Sequence, residues 1–365
     1  CLLVALAHCP ERWDVVLCPY KFCYSEQPGN HKLNRVITKG RITMKLRVSA
    51  AAIIAGAMAL PGAAMADCGD VSLARMNWAS AEVYSVITEF LMVQGYGCNV
   101  TVVPSATTTA ITSLAENGEP DVVPELWVNS APAYEGLAAE GKVIKAADVI
   151  SDGGSEAWWI PAYLAEAHPE LATIDGILAN PSLVGGRFHN CPDGWGCRIA
   201  NDNLVQAYGF ADAGMEVFNH GSGETLSTSM ASAYQAGEPW FGYYWGPTAL
   251  LGSYDMVAVD MGGYNMEAHA CNAGADCATP GKSSFPAAPV YTVVTADLAS
   301  SKPEIMELVS NISLSNKAIS QLLAWKDANN ASAEEAAVYF LQTSGDTWSS
   351  WVNDDARSKL SALLQ

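Results

Sequence analysis

Basic residues are scarce in this chain: 19 Lys and Arg stand against 38 Asp and Glu, a formal net charge of −19. A surface of that sign repels nucleic acid and anionic lipid, so no nucleic-acid partner is expected. The charge serves solubility first, and a favourable field for cationic ligands second. Metal-site and nucleophile patterns are lacking too. No cysteine pair beyond residue 66 has the Cys-x-x-Cys spacing of zinc sites, and no His-Glu-x-x-His run occurs. The run Gly221 to Gly223 lacks the Gly-x-Ser-x-Gly spacing of a hydrolase elbow. The loop Asn272 to Asp276 offers oxygens to calcium but falls far short of an EF-hand. No catalytic residue, metal or cofactor is therefore expected. Internal repeats and low-complexity linkers are missing as well.

The first 43 residues contain no methionine and carry four of the ten cysteines without regular spacing, which reads as an upstream, non-native extension. From Met44 the pattern changes. Lys45 and Arg47 precede an apolar run from Val48 to Ala59, and Ala64, Met65 and Ala66 offer small residues for cleavage. Residues 44–66 thus read as a secretory signal peptide. The run is shorter than the roughly 18 to 20 residues a membrane span needs, and Pro61 and Gly62 interrupt it, so the mature chain is not expected to insert in a membrane. Asp67 is a poor fit to the small residue that lipid attachment at Cys68 would require. The six remaining cysteines fall in three sequence-near pairs, Cys68 with Cys98, Cys191 with Cys197, and Cys271 with Cys277. In an exported protein these read as disulfides, although spacing alone does not fix connectivity.

Short apolar strands alternate with helical spacing along the rest of the chain. Val71 to Met76 reads as a strand, Ser80 as an N-cap, and Val83, Val86, Ile87, Phe90 and Leu91 recur at helical intervals up to Gly95. Strands are expected at Val100 to Val103 and Val122 to Val128, with a Thr-rich helix start between them. A second α/β stretch places strands at Trp158 to Leu164, Phe241 to Trp245 and Met256 to Val259, and helices near Arg198 to Tyr208 and Thr225 to Ala236. After Pro289 one more strand, Val290 to Thr295, leads into helical sequence. The fold class expected is α/β, with each of two lobes a doubly wound sheet and ligands at the carboxyl ends of the strands. The expected division is 67–156 with 290–365 as lobe I and 157–289 as lobe II. Lobes joined by short strand crossings suit hinge closure over a ligand.

Three segments stand out for their tryptophans: Pro124 to Asn129 (PELWVN), Cys191 to Cys197 (CPDGWGC) and Trp240 to Pro247 (WFGYYWGP). In order and separation they resemble the periplasmic glycine betaine-binding receptors of the quaternary-amine ABC importers, and the likeness covers essentially residues 69 to 365. The resemblance implies a type II periplasmic binding protein with its ligand in the interlobe cleft, a membrane permease as partner, and no catalytic step. It also assigns one cage wall to each segment, namely Trp127, Trp195 and Trp245, with Trp78 as a fourth. The chain is expected to be periplasmic and monomeric.

The chemistry supports tryptophan in that role. A trimethylammonium group donates no classical hydrogen bond, so it must be held by the negative faces of aromatic rings and by burial of its methyl groups. Each such face contributes about 0.5 to 2 kcal/mol. The backbone N–H groups of Gly196 and Cys197, at the start of the helix after Trp195, are offered to an oxygen of the ligand.

The chain departs from betaine receptors at one position. Those often carry a basic or imidazole side chain four residues after the first motif's tryptophan to meet the substrate carboxylate, whereas Ala131 stands here. Glu125 shares a strand face with Trp127 by period-two alternation. Both features favour a ligand without a carboxylate, and trimethylamine N-oxide is preferred over glycine betaine, choline or carnitine. Trp325, Trp348 and Trp351 read as packing residues, and His168, His189, His220 and His269 as loop or surface groups. The rival from another class, a secreted carbohydrate-active enzyme, would need two paired carboxylates that the sequence does not supply.

Overall fold

A computed structural model describes residues 68–364. The expected upstream extension (1–43) and signal peptide (44–66) lie outside the described residues. The described residues form ten strands: β1 (Asp70–Met76), β2 (Asn99–Ser105), β3 (Val122–Trp127), β4 (Val143–Asp148), β5 (Ser155–Pro161), β6 (Arg187–Asn190), β7 (Glu216–Asn219), β8 (Gly242–Gly246), β9 (Met256–Ala258) and β10 (Val290–Thr295). They form two five-stranded sheets, ordered β2-β1-β3-β10-β4 and β7-β6-β8-β5-β9. The molecule is a two-lobed α/β protein with one sheet per lobe.

The two sheets repeat one plan. In lobe I, β1 runs parallel to β2 and β3, while β10 is antiparallel to β3 and β4. In lobe II, β6 runs parallel to β7 and β8, while β5 is antiparallel to β8 and β9. Each antiparallel insertion is the strand through which the chain enters a lobe from the other. The two crossings lie side by side: the Gly154 amide donates to Ala288 O at 2.7 Å, and the Ala288 amide returns a bond to Gly154 O at 3.3 Å.

Local signals explain most elements. The chain after β1 turns into the helix Ala79–Phe90, capped at Trp78 in an extended conformation. Ser80, expected as the cap, sits inside this helix because its hydroxyl is drawn to a buried carboxylate, Glu125, at 3.0 Å. β5 begins three residues before the expected strand and ends at Pro161, where the short helix Ala162–Ala167 takes over. β4, β6 and β7 were not anticipated: β6 and β7 are four residues long and carry polar groups, and β4 is mostly exposed.

Lobe II packs around Trp158, which is fully buried among Phe188, Tyr208, Phe210 and Phe241 with ring centroids 4.9 to 5.9 Å away. Its indole N–H donates to Asn201 Oδ1 at 2.9 Å. The helices after β10 return to lobe I, where Ala333–Thr343 packs on Ala79–Phe90. Trp348 and Trp351 are buried, and Trp325 stacks on Tyr339 at 3.9 Å. The three cysteine pairs are bonded as Cys68–Cys98, Cys191–Cys197 and Cys271–Cys277.

Candidate functional site

The strand ends of the two sheets face each other across the cleft, and four tryptophans meet there. Trp78 follows β1 and Trp127 closes β3, both in lobe I. Trp195 caps the helix Gly196–Tyr208 and Trp245 lies in β8, both in lobe II. Together with Thr107, Ser130, Glu156, Gly196, Cys197 and Tyr243 they line a small cavity. The rings stand edge to face: Trp195 lies 5.5 Å from Trp78 at 71° and 5.1 Å from Trp245 at 82°. All four are nearly inaccessible to solvent, between 4% and 7% exposed.

Three of the four rings are fixed through their indole N–H groups. On the lobe I side one oxygen, Glu125 Oε1, accepts from Trp78 Nε1 at 2.7 Å and from Trp127 Nε1 at 2.9 Å. The Trp127 ring also lies against Gly154 at the crossing, where any side chain would overlap the indole. Across the cleft, Trp195 Nε1 donates to Asn77 Oδ1 at 2.7 Å. Gly223 leaves room for the far edge of the same ring, since a Cβ there would come within 3.0 Å of it. The loop bearing Trp195 is held by the Cys191–Cys197 bond and by Asn190, whose Oδ1 accepts from the Cys191 amide at 2.8 Å and from Asn201 Nδ2 at 2.9 Å.

The lobes latch directly over the cavity. The Thr108 amide and hydroxyl of lobe I both donate to Gly194 O of lobe II, at 3.1 and 3.0 Å. Gly196 abuts Ser130 so closely that a Cβ would overlap its backbone and side chain. Only glycine permits this approach.

The polar end of the cavity belongs to Glu156. Its Oε1 accepts from Tyr243 Oη at 2.7 Å, while Oε2 is buried and has no hydrogen-bond partner. Burial raises the Glu156 carboxyl above its ordinary range, against the lowering effect of the Tyr243 and Ser130 hydrogen bonds. Beside it, the amides of Gly196 and Cys197 begin a helix and make no hydrogen bond within the described residues. They are the orphan donors of a helix start. Among the described residues no Lys, Arg or His lines the cavity. Arg198, the nearest base in sequence, is paired with Asp193 at 2.6 Å and Asp202 at 2.9 Å.

The structure brings together Trp78, Trp127, Trp195, Trp245, Gly196 and Cys197. Glu125 it places differently from the expectation of a ligand contact: the side chain does share a face with Trp127, but it stands behind the rings and does not line the cavity. The cavity glutamate is Glu156, which the sequence reading missed. Its signal is present in β5, where Glu156 is in phase with the buried Trp158 and Ile160. Of the other tryptophans, Trp158 belongs to the lobe II core, Trp159 donates to Tyr244 O at 3.0 Å, and Trp240 stacks on His189 at 5.3 Å. None of these lines the cavity. Of the histidines expected in loops or at the surface, His189 lies in β6 and His220, in a loop as expected, is buried; His189 Nδ1 and His220 Nε2 are 2.9 Å apart, and burial pushes His189 down to about 3. Among the described residues no cluster of His, Cys, Asp and Glu is placed to hold a metal.

The profile of the family described as the substrate-binding domain of ABC-type glycine betaine transport systems matches residues 69–343. The chain belongs to that family. It is the solute-binding receptor of an ABC transport system. Solved structures agree on the fold. A glycine betaine/L-proline-binding protein from Borrelia burgdorferi superposes with a TM-score of 0.65 at 17% identity, covering 80% of this chain and 99% of its own. A choline-binding protein of an ABC transporter, in complex with choline, gives 0.64 at 21% identity over 82% and 99%. A lactococcal glycine betaine receptor in its closed, liganded form gives 0.60 at 17% identity over 78% and 100%. A search of the curated proteins returned no match.

Proposed function

We propose that this receptor captures a small trimethylammonium osmolyte, with trimethylamine N-oxide preferred, outside the cytoplasm and delivers it to a membrane permease. The observation that carries the reading is the polarity of the cavity. Four indoles and a buried glutamate with an unpartnered oxygen line it, with no basic side chain among the described lining residues. Indole faces hold the methylated nitrogen, at about 0.5 to 2 kcal/mol per face. At the other end a protonated Glu156 donates from Oε2 to the N-oxide oxygen, and the amides of Gly196 and Cys197 supply further donors. A neutral acid is the form that burial favours.

Glycine betaine fits this cavity less well, because its carboxylate carries a full charge and finds no Arg, Lys or His. Choline would present a hydroxyl to Glu156 and leave the helix amides without an acceptor. Further parts of the same reading are a cleaved signal peptide, a periplasmic monomer, and lobes exchanged at the crossings near Gly154 and Ala288. Among the described residues no helix is long and apolar enough to cross a membrane.

Titration with trimethylamine N-oxide, glycine betaine and choline, followed by tryptophan fluorescence and calorimetry, tests the proposal. Tight binding of the N-oxide with weaker binding of the other two is expected. Preference for glycine betaine would keep the cage and overturn the role of Glu156. Silence from every trimethylammonium compound would overturn the cage.

A further inference from the structure

We propose that Glu125, which does not touch the ligand, is the residue that makes the cage select a cationic nitrogen over an uncharged group of the same shape. The inference rests on the trimethylammonium reading of the cavity. Three donors converge on one oxygen of a side chain with no solvent exposure: Trp78 Nε1 at 2.7 Å, Trp127 Nε1 at 2.9 Å and Ser80 Oγ at 3.0 Å. Burial pushes the Glu125 carboxyl up, and the three hydrogen bonds on one oxygen oppose that shift because they favour the charged form. Its other oxygen, Oε2, is buried without a hydrogen-bond partner.

A buried charge needs a counter-charge. Among the described residues no Lys, Arg or His forms an ion pair with Glu125. The cavity in front of Trp78 and Trp127 is the adjacent space in which a positive group can sit. The carboxylate thus acts in two ways. It orients two rings from different elements through their N–H groups, and it polarises those N–H bonds, which strengthens the negative faces turned to the ligand. The cavity is then charged to match an N-oxide dipole: an anion behind the ring end, a neutral acid at the oxygen end.

The test compares choline with dimethylbutanol, its uncharged carbon isostere, on the full wild-type chain and on E125Q. Glutamine keeps an oxygen for both indoles and removes the charge. The ratio of the two affinities is expected to fall by about tenfold in E125Q, mostly through loss of choline, with near-ultraviolet circular dichroism unchanged. An unchanged ratio in a folded E125Q would overturn the proposal while leaving the cage reading intact. Equal binding of both compounds by the wild type would also overturn it, and binding of neither would remove the cage reading on which it rests. A second measurement does not depend on E125Q folding. In E156Q at pH 8, infrared spectra are expected to show no carbonyl band from a buried protonated carboxyl; such a band would assign a proton to Glu125 and overturn the proposal.

Discussion

The two lobes hold the tryptophans that line the cavity by different means. In lobe I the indoles of Trp78 and Trp127 share one internal acceptor, Glu125, so that half is organised whether or not the cleft is shut. In lobe II the indole N–H of Trp195 reaches across to Asn77, so that half completes its hydrogen bonds only on closure. The difference teaches how binding energy is spent. Rings fixed in advance bind without an ordering cost, and the ring that crosses the cleft couples ligand contact to lobe closure.

The strongest way to break the comparison is to remove the ring that joins the halves. Trp195→Ala deletes the contacts to both Trp78 and Trp245 and the bond to Asn77. Affinity for trimethylamine N-oxide is expected to fall by about a hundredfold or more, as for a central buried aromatic, read by calorimetry. Next in size is Gly154→Ala. Its methyl group would overlap the Trp127 ring at the lobe crossing, and about 1 to 3 kcal/mol of stability should be lost in denaturant titration, with weaker binding besides.

Glu156 sharpens the comparison from the lobe II side. Its raised carboxyl is protonated below its shifted pKa and ionises above it. N-oxide binding is therefore expected to be strongest on the acid side and to weaken as pH rises through that pKa. Glu156→Gln keeps a donor, so its pH profile should be flat over the same range, and calorimetry at several pH values reads this. The smallest effect is expected from Thr108→Val, which removes one hydroxyl bond of the cross-lobe latch but leaves the amide bond. A loss of about 0.5 to 1.5 kcal/mol in closure, seen as a faster ligand off-rate in stopped-flow fluorescence, is the expected outcome.

Three of the tryptophans that line the cavity stood out in the sequence because they fall in three short segments, one bracketed by cysteines and two at strand ends, that stand in order along the chain. The polar end was not. Thr107 and Ser130 come from lobe I, and Glu156 and Tyr243 from adjacent strands of lobe II; their meeting across the cleft is a product of the chain path, which no local spacing encodes. Glu125 was seen for the right reason, its alternation with Trp127, yet alternation reports a face and not a depth. The acceptor demand of two indole N–H groups decides that depth. The parallel strands were read where apolar runs were long, as in β1 and β3, and missed in β6 and β7, where sheet pairing holds four-residue polar segments. The antiparallel insertion of β5 and β10 follows from lobe crossing, a property of the whole chain path.

A crystal structure of the receptor with trimethylamine N-oxide tests the central claim most directly. The account predicts the methylated nitrogen enclosed by Trp78, Trp127, Trp195 and Trp245, with the oxygen within hydrogen-bond distance of Glu156 Oε2. An oxygen turned away from Glu156, or a ligand bound outside the four rings, would contradict it.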